Sequence, residues 1–320
     1  MQLQKGSENN PKMCTRPIEA WQSDELLDNF KHKVVFKAHS SDPFTEGRFH
    51  FNRQILIPCG KCLDCRLKKS YQWADRIMLE SEQYAFNCFI TLTYDDIHMP
   101  LLNVDDRMVG TLVKRDLQLF MKRLRKDLYP RKIRFFACGE YGSKTNRPHY
   151  HLIIFNYFPD DAMKWSENDD YILYRSKRIE RLWTAGQSIV GSLVPTSARY
   201  VASYMLKKQY ETTKEYKVQA PFITMSKRPG LGMNYFLSHK DDILNGGMIY
   251  PPLSKPCQSL TAFDRKIEQE DPNALYRLKL ARGDLNAVLD DGIPSFDKKS
   301  LYDEKERKLE RNNIRKESFR

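Results

Sequence analysis

Apolar and polar positions change period several times along the chain, and each change marks an element. Residues 87–94 (Asn-Cys-Phe-Ile-Thr-Leu-Thr-Tyr) are β-branched and aromatic, which predicts a buried strand ended by Asp95 and Asp96. From 114 to 128 the period lengthens: Leu117, Phe120, Met121, Leu124 and Leu128 recur every three or four residues, with Lys122, Arg123, Arg125 and Lys126 between them. That spacing predicts an amphipathic helix with a basic outer face, stopped before Pro130. A second strand is predicted over 132–141, then a polar stretch, then the run His149-Tyr150-His151-Leu152-Ile153-Ile154-Phe155. Two strands joined by so short a loop form an antiparallel hairpin. Beyond an acidic loop at 159–170, a helix is predicted at 176–183, a strand at 187–194, and a helix opening at Pro195-Thr196-Ser197 and running to Lys208.

The flanks are less patterned. Residues 1–54 read as an irregular polar segment with one candidate strand at Lys33-Val34-Val35-Phe36. Ala74, Ile77, Met78, Ser81 and Tyr84 recur at helical spacing among Lys68, Lys69 and Arg76, predicting a helix over 67–84. Past Gly230, residues 240–256 read as loop, 264–289 as helices broken near Pro272 and Gly283, and 298–320 as a highly charged tail. The expected organisation is an N-terminal segment (1–54), a main domain (55–235) and a charged, mainly helical or partly disordered C-terminal region (236–320).

Chemistry concentrates in the hairpin. His149 and His151 stand at i and i+2, so a strand turns both imidazoles to one face. The chain has only seven His, which makes an accidental pair the weaker reading. Glu140, near the end of the facing strand, comes close to them across the hairpin. Two imidazoles and one carboxylate suit Mn²⁺ or Mg²⁺ with positions left open for substrate oxygens. Downstream, Tyr200 and Tyr204 share a helix face, and Lys207 and Lys208 follow one turn on. Two tyrosines alone read as ordinary core residues. Beside a metal site they become nucleophiles, the phenol needing help from a lysine and a polarised phosphate because its free pKa is about 10.

Cys59, Cys62 and Cys65 at two-residue gaps form a thiolate knuckle suited to a structural zinc ion or an iron–sulfur cluster, with Cys14 or Cys88 as the fourth ligand. Reduced cysteines packed at a turn are the plain alternative. Lys and Arg exceed Asp and Glu by 53 to 41, a net charge of +12, which points to an acidic partner such as nucleic acid. No apolar run approaches the roughly 20 residues of a membrane span. The polar stretch 1–11 lacks the apolar core of a secretory signal, so the chain reads as intracellular with no membrane partner.

Three ordered motifs, Phe89-Ile90-Thr91-Leu92-Thr93-Tyr94, Pro148-His149-Tyr150-His151, and Tyr200 with Tyr204 and the lysine pair, resemble those of the His–hydrophobe–His endonucleases that initiate rolling-circle replication. Within that superfamily the chain is most similar to the initiators of gokushovirus-type Microviridae phages. The stretches 58–66, 139–142 and 221–230 share the resemblance. Tyr150 departs from the pattern, which asks for a bulky hydrophobe there.

The resemblance implies an α+β fold, a central antiparallel sheet with flanking helices. It implies an endonuclease and strand transferase that acts at the viral origin on single-stranded and supercoiled circular DNA in the host bacterial cytoplasm, with host helicase and polymerase as partners. It also implies that one tyrosine attacks to leave a 5′-phosphotyrosyl bond and a free 3′-OH, and that the second acts after one round to release a circle. A plasmid or transposon nickase of the same superfamily, and a non-catalytic zinc-knuckle DNA-binding regulator, are the competing readings.

Overall fold

The computed structural model of the chain describes residues 14–27, 32–36, 44–46, 49–51, 53–142, 145–167, 171–210, 218–245 and 247–282, with the side chains at 205–210 left out of that description. The charged tail at 298–320 lies outside the described residues. The chain divides into two compact units, one of residues 1–69, 240–249 and 257–320, the other of 70–239 and 250–256.

In the first unit, β1 (Ile18–Leu26), β2 (His32–Val35), β3 (Phe44–Glu46), β4 (Phe49–Phe51) and β5 (Arg53–Ile57) occupy the segment that reads as irregular in sequence. They form a three-stranded sheet of order β2-β1-β5 and a separate β3–β4 pair. Periodicity missed them for a physical reason. Ala20, Trp21 and Phe51 are buried while Ile18, Val34, Phe36 and Leu56 stay exposed, so apolar residues do not track one face. After β5 the chain turns at Gly60, whose φ of +70° lies in the left-handed region. It then enters α1 (Leu63–Ser81), which starts four residues before the predicted helix and continues into the second unit.

The second unit contains β6 (Asn87–Tyr94), β7 (Leu101–Val104), β8 (Arg107–Gly110), α2 (Lys114–Asp127), β9 (Arg134–Tyr141), β10 (Pro148–Phe155), β11 (Met163–Glu167), β12 (Ile172–Arg175), α3 (Lys177–Leu182), β13 (Gly186–Ser192), α4 (Pro195–Tyr210), β14 (Phe222–Met225) and α5 (Met233–Ser238). Seven of these strands form one antiparallel sheet in the order β11-β12-β13-β6-β10-β9-β14. The predicted hairpin is β9–β10, with Glu140 opposite His149 and Cys138 opposite His151. Where the sequence suggested an acidic loop, β11 and β12 form the outer edge. Every residue of β11 is exposed, so no apolar alternation announced it.

Alternation along β10 sends its side chains to two cores. Tyr150, Leu152 and Ile154 pack with Ile90 and Leu92 of β6, Leu117, Phe120, Met121 and Leu124 of α2, and Ile179 and Leu182 of α3. On the opposite face Ile153 and Phe155 pack with Phe136 and Cys138 of β9, with Ala198, Val201, Ala202 and Tyr204 of α4, and with Ala74, Ile77 and Met78 of α1. Each fully buried aliphatic chain contributes about 1.5–3 kcal/mol, which seats both helices firmly on the sheet. The Ser176 side chain accepts a hydrogen bond from Ile179 N and caps α3 as a serine at that position should.

Tyr150 settles the departure noted above. Its ring is wholly buried, facing away from the histidines. Its hydroxyl meets the Tyr94 hydroxyl at 2.8 Å, accepts from Val113 N at 2.9 Å and reaches Val113 O at 2.9 Å, while the Tyr94 hydroxyl donates to Asp116 at 2.6 Å. A hydroxyl replaces a plain hydrophobe here because it ties β10 to the start of α2.

Three further helices, α6 (Lys240–Leu244), α7 (Thr261–Glu270) and α8 (Pro272–Ala281), belong to the first unit. The break falls at Pro272 as its ring chemistry requires. Lys240 and Lys266 pair with Glu270, and Arg282 pairs with Asp264.

Candidate functional site

The site is built on the half of the sheet covered by α4. Strand register places Thr93 opposite His149 and Thr91 opposite His151 on one side, with Glu140 and Cys138 opposite the same pair on the other. Each histidine Nδ1 meets a threonine hydroxyl at 3.0 Å: His149 with Thr93, His151 with Thr91. A hydroxyl can donate or accept, so it holds the ring in either tautomer and leaves Nε2 turned to the site. These threonines belong to the strand 87–94, whose alternation could have flagged them as sharing a face with the His pair.

His151 is the hub. Its Nε2 lies 3.0 Å from the Glu140 carboxylate and 3.5 Å from the Tyr200 hydroxyl. Phe89 stacks against the ring with centroids 5.8 Å apart, and Tyr204 stacks against it at 5.3 Å. Tyr200 meets the same imidazole edge-on at 5.2 Å and lies 5.1 Å from Tyr204. Glu140, His151 and Tyr204 are buried, while Tyr200 is half-buried. Phe89 was not legible as a site residue, since its contact depends on which strand β10 pairs with.

The electrostatics keep this cluster uncharged except at the carboxylate. Burial, and then the neighbouring His151, hold the His149 pKa below the usual imidazole value against the opposing pull of Glu140. His149 is therefore neutral, a ligand and not a cation, near neutral pH. Burial also pushes the Tyr204 phenol well above its ordinary range, reinforced by Tyr200 and Glu140 beside it. Gly142 completes the geometry: a Cβ there would come within 2.9 Å of His149 Nε2.

Two imidazole nitrogens and a buried carboxylate are a donor set that fits a divalent cation, with both rings held from behind. The two imidazole centroids lie 6.4 Å apart, and His151 is the ring that reaches Glu140. Lys207 and Lys208 continue α4, but their side chains lie outside the described residues.

In the first unit, Cys14, Cys59, Cys62 and Cys65 bring their sulfurs within 4.8 Å of one another. Cys14 Sγ lies 3.5 Å from Cys59 Sγ and 3.6 Å from Cys62 Sγ. Backbone N–H groups of Lys61 and Cys62 donate to Cys59 Sγ, and Cys59 N donates to Cys14 Sγ. The β1–β5 ladder, ending at the Ile18–Ile57 pair, is what brings Cys14 to the knuckle. Cys88, the alternative fourth ligand, is fully buried in β6 within the second unit's core. Four thiols so close form a group able to hold a metal ion.

Residues 87–209 match the family of the replication-associated protein ORF2, a span from the first residue of β6 to near the end of α4. The chain is 33% identical to replication-associated protein ORF2 of Spiroplasma virus 4 over 280 residues, 82% of each chain. It is 35% identical to replication-associated protein VP4 of Bdellovibrio phage phiMH2K, over 75% of this chain and 72% of the relative. With replication-associated protein ORF4 of Chlamydia phage 1 it shares 28% identity over 70% of this chain and 59% of the relative. The chain belongs to this family of phage replication-associated proteins, the group its motifs resemble. No solved structure matches it.

Proposed function

We propose that the chain initiates rolling-circle replication by nicking the origin of circular phage DNA through a tyrosine nucleophile and later rejoining the displaced strand. The observation that carries this reading is the convergence on His151 of a carboxylate at 3.0 Å and a tyrosine hydroxyl at 3.5 Å, on the face that also presents His149. Tyr200 Oη forms a bond to the scissile phosphorus as the P–O3′ bond breaks. The phenol gives up its proton and the 3′ oxygen gains one, leaving a 5′-phosphotyrosyl link and a free 3′-OH. One diester replaces another, so the linkage stores the energy needed for rejoining.

Tyr200 acts first in this account because it is the half-buried tyrosine with its hydroxyl at the site, whereas Tyr204 is buried against the His151 ring. Tyr204 cuts the regenerated origin, and the free 3′-OH then attacks the first linkage to close the circle. Glu140, His149 and His151 would hold Mg²⁺ or Mn²⁺, which when bound supplies Lewis-acid polarisation of a phosphoryl oxygen. Phe89, Thr91 and Thr93 fix the two rings, and Lys207 or Lys208 offsets charge near the attacking phenol. The substrates are single-stranded and supercoiled circular DNA in the host cytoplasm, with host helicase and polymerase extending the 3′-OH. No described helix is long and apolar enough to cross a membrane.

The cysteine quartet holds one structural Zn²⁺ in the same reading. A tetrahedral ion with Zn–S bonds of about 2.3 Å sets its sulfurs roughly 3.8 Å apart, near the 3.5 and 3.6 Å observed. An iron–sulfur cluster would spread four cysteines over separate irons. Metal analysis of the native protein should find one zinc, lost in Cys14→Ser. Absence of metal from the parent chain contradicts the assignment.

For the nicking activity, incubating the protein with Mn²⁺ and single-stranded origin DNA should give a covalent adduct on a denaturing gel. The Tyr200→Phe, Tyr204→Phe double variant should bind DNA without forming it. An adduct that survives in the double variant overturns the assignment of the nucleophile.

A further inference from the structure

The catalytic face of the sheet is only half covered. α4 packs on β10, β9 and β14. On the other side of His151 the face continues through Phe89 of β6, Gly191 of β13 and Leu173 of β12, which stand opposite one another in register. Gly191 leaves a shallow trough, since a Cβ there would only just touch Leu173 and Phe89, each at 3.8 Å. Phe89, Ile189 and Leu173 are half-buried along it and Gln187 is exposed.

The trough ends at the β11–β12 ribbon. Arg175 lies two residues beyond Leu173 and so shares its face. It sits over the Trp165 ring, 5.4 Å from the centroid. Trp165 is 53% exposed, and Met163 and Tyr171 on the same ribbon are 66% and 54% exposed. A tryptophan held in the open by an arginine, on an edge strand exposed throughout, is a binding surface awaiting a ring partner. The ribbon is not uniformly basic: Glu180 lies 3.7 Å from Arg175, and Lys164 pairs with Glu167. Its recognition chemistry is therefore ring stacking with local cationic help, which suits unpaired bases.

We propose that this open half-face, from Phe89 across Gly191 and Leu173 to Trp165 and Arg175, is a platform for the single-stranded DNA flanking the scissile phosphate. The proposal rests on the nicking function above and identifies where its substrate lies. β12 is three strand positions from β10, about 14 Å, so DNA held at the His pair reaches the ribbon within a few nucleotides. Bases stack on Trp165, and Arg175 meets a phosphate.

The test uses the full chain carrying Tyr200→Phe and Tyr204→Phe, so that binding is read without cleavage, with fluorescein-labelled oligothymidylate as probe. Trp165→Ala should weaken binding about ten-fold, within the roughly 5- to 150-fold span of one lost base stack, while Trp165→Phe, which keeps a ring, retains most of the affinity. Arg175→Ala should flatten the dependence of log affinity on log salt by about 0.7. Ultraviolet cross-linking should place the oligonucleotide on Trp165 or Tyr171. Parental binding that Trp165→Ala and Arg175→Ala leave unchanged overturns the platform and spares the nicking function. No binding by the parent at all overturns both.

Discussion

Tyr204 lies flat on His151, ring centroids 5.3 Å apart and planes 11° from parallel, while Tyr200 meets the same imidazole edge-on with its hydroxyl 3.5 Å from Nε2. Two tyrosines one helical turn apart thus have different jobs at one ring. Tyr204→Phe keeps the stack and removes only a buried hydroxyl. It should leave first-strand cleavage within about 3-fold of the parent and stop circle release, read as adduct yield against circular product. Tyr200→Phe should lower the first adduct by about 10³-fold or more. Equal losses in both variants would contradict this division of labour.

Gly142 is a second point of leverage. A Cβ at this position would come to 2.9 Å from His149 Nε2, so Gly142→Ala has to displace the imidazole. The Mn²⁺ concentration for half-maximal nicking should rise about 10- to 100-fold, as it does when a ligand loses its orientation, with thermal stability retained. A metal titration checks this, and an unshifted midpoint would remove His149 from the ligand set.

Tyr150→Phe separates architecture from chemistry. It strips the hydroxyl that joins Tyr94 and Val113. Leaving those buried partners unmatched costs about 1–3 kcal/mol, visible as a lower urea midpoint at unchanged slope. Nicking of the folded variant should persist, because the ring faces away from the metal side.

Asp75 sets a pH dependence away from the histidines. Burial on α1 raises its carboxyl to about 6, against the opposing charge of Arg199. A carboxyl whose folded pKa exceeds its unfolded value contributes stability that is full below about 4 and lost as pH rises through about 6. Asp75→Asn should therefore stabilise the protein by about 1–2 kcal/mol at pH 7–8 relative to the parent and give no gain at pH 4. Melting curves at the two pH values decide it, and a destabilised variant at pH 8 would show that the Arg199 attraction outweighs desolvation.

Local pattern carried much of this architecture. The strand at 87–94, the helix from 114, the β9–β10 hairpin and the helix opening at Pro195 were legible because each buries a face at its own period. Glu140, His149, His151, Tyr200 and Tyr204, picked out by spacing, do meet in space. What escaped was relational. Phe89 and the threonines of β6 reach the histidines only because β6 pairs with β10, a strand more than fifty residues away. Cys14 was one of two candidate fourth cysteines until the β1–β5 register brought it to the knuckle. β11 carries no alternation at all, being exposed on every residue, so a polar reading was the natural one for a ribbon that buries nothing.

The central claim is that a tyrosine on α4, presented at the histidine face, takes the 5′ phosphate of the cut strand. The most direct measurement is mass spectrometry of the protein–DNA adduct after nuclease trimming and proteolysis. The account predicts a residual nucleotide on the peptide containing Tyr200 when a single cleavage is allowed. A nucleotide on a peptide outside α4, or a cut strand with no protein attached, would contradict it.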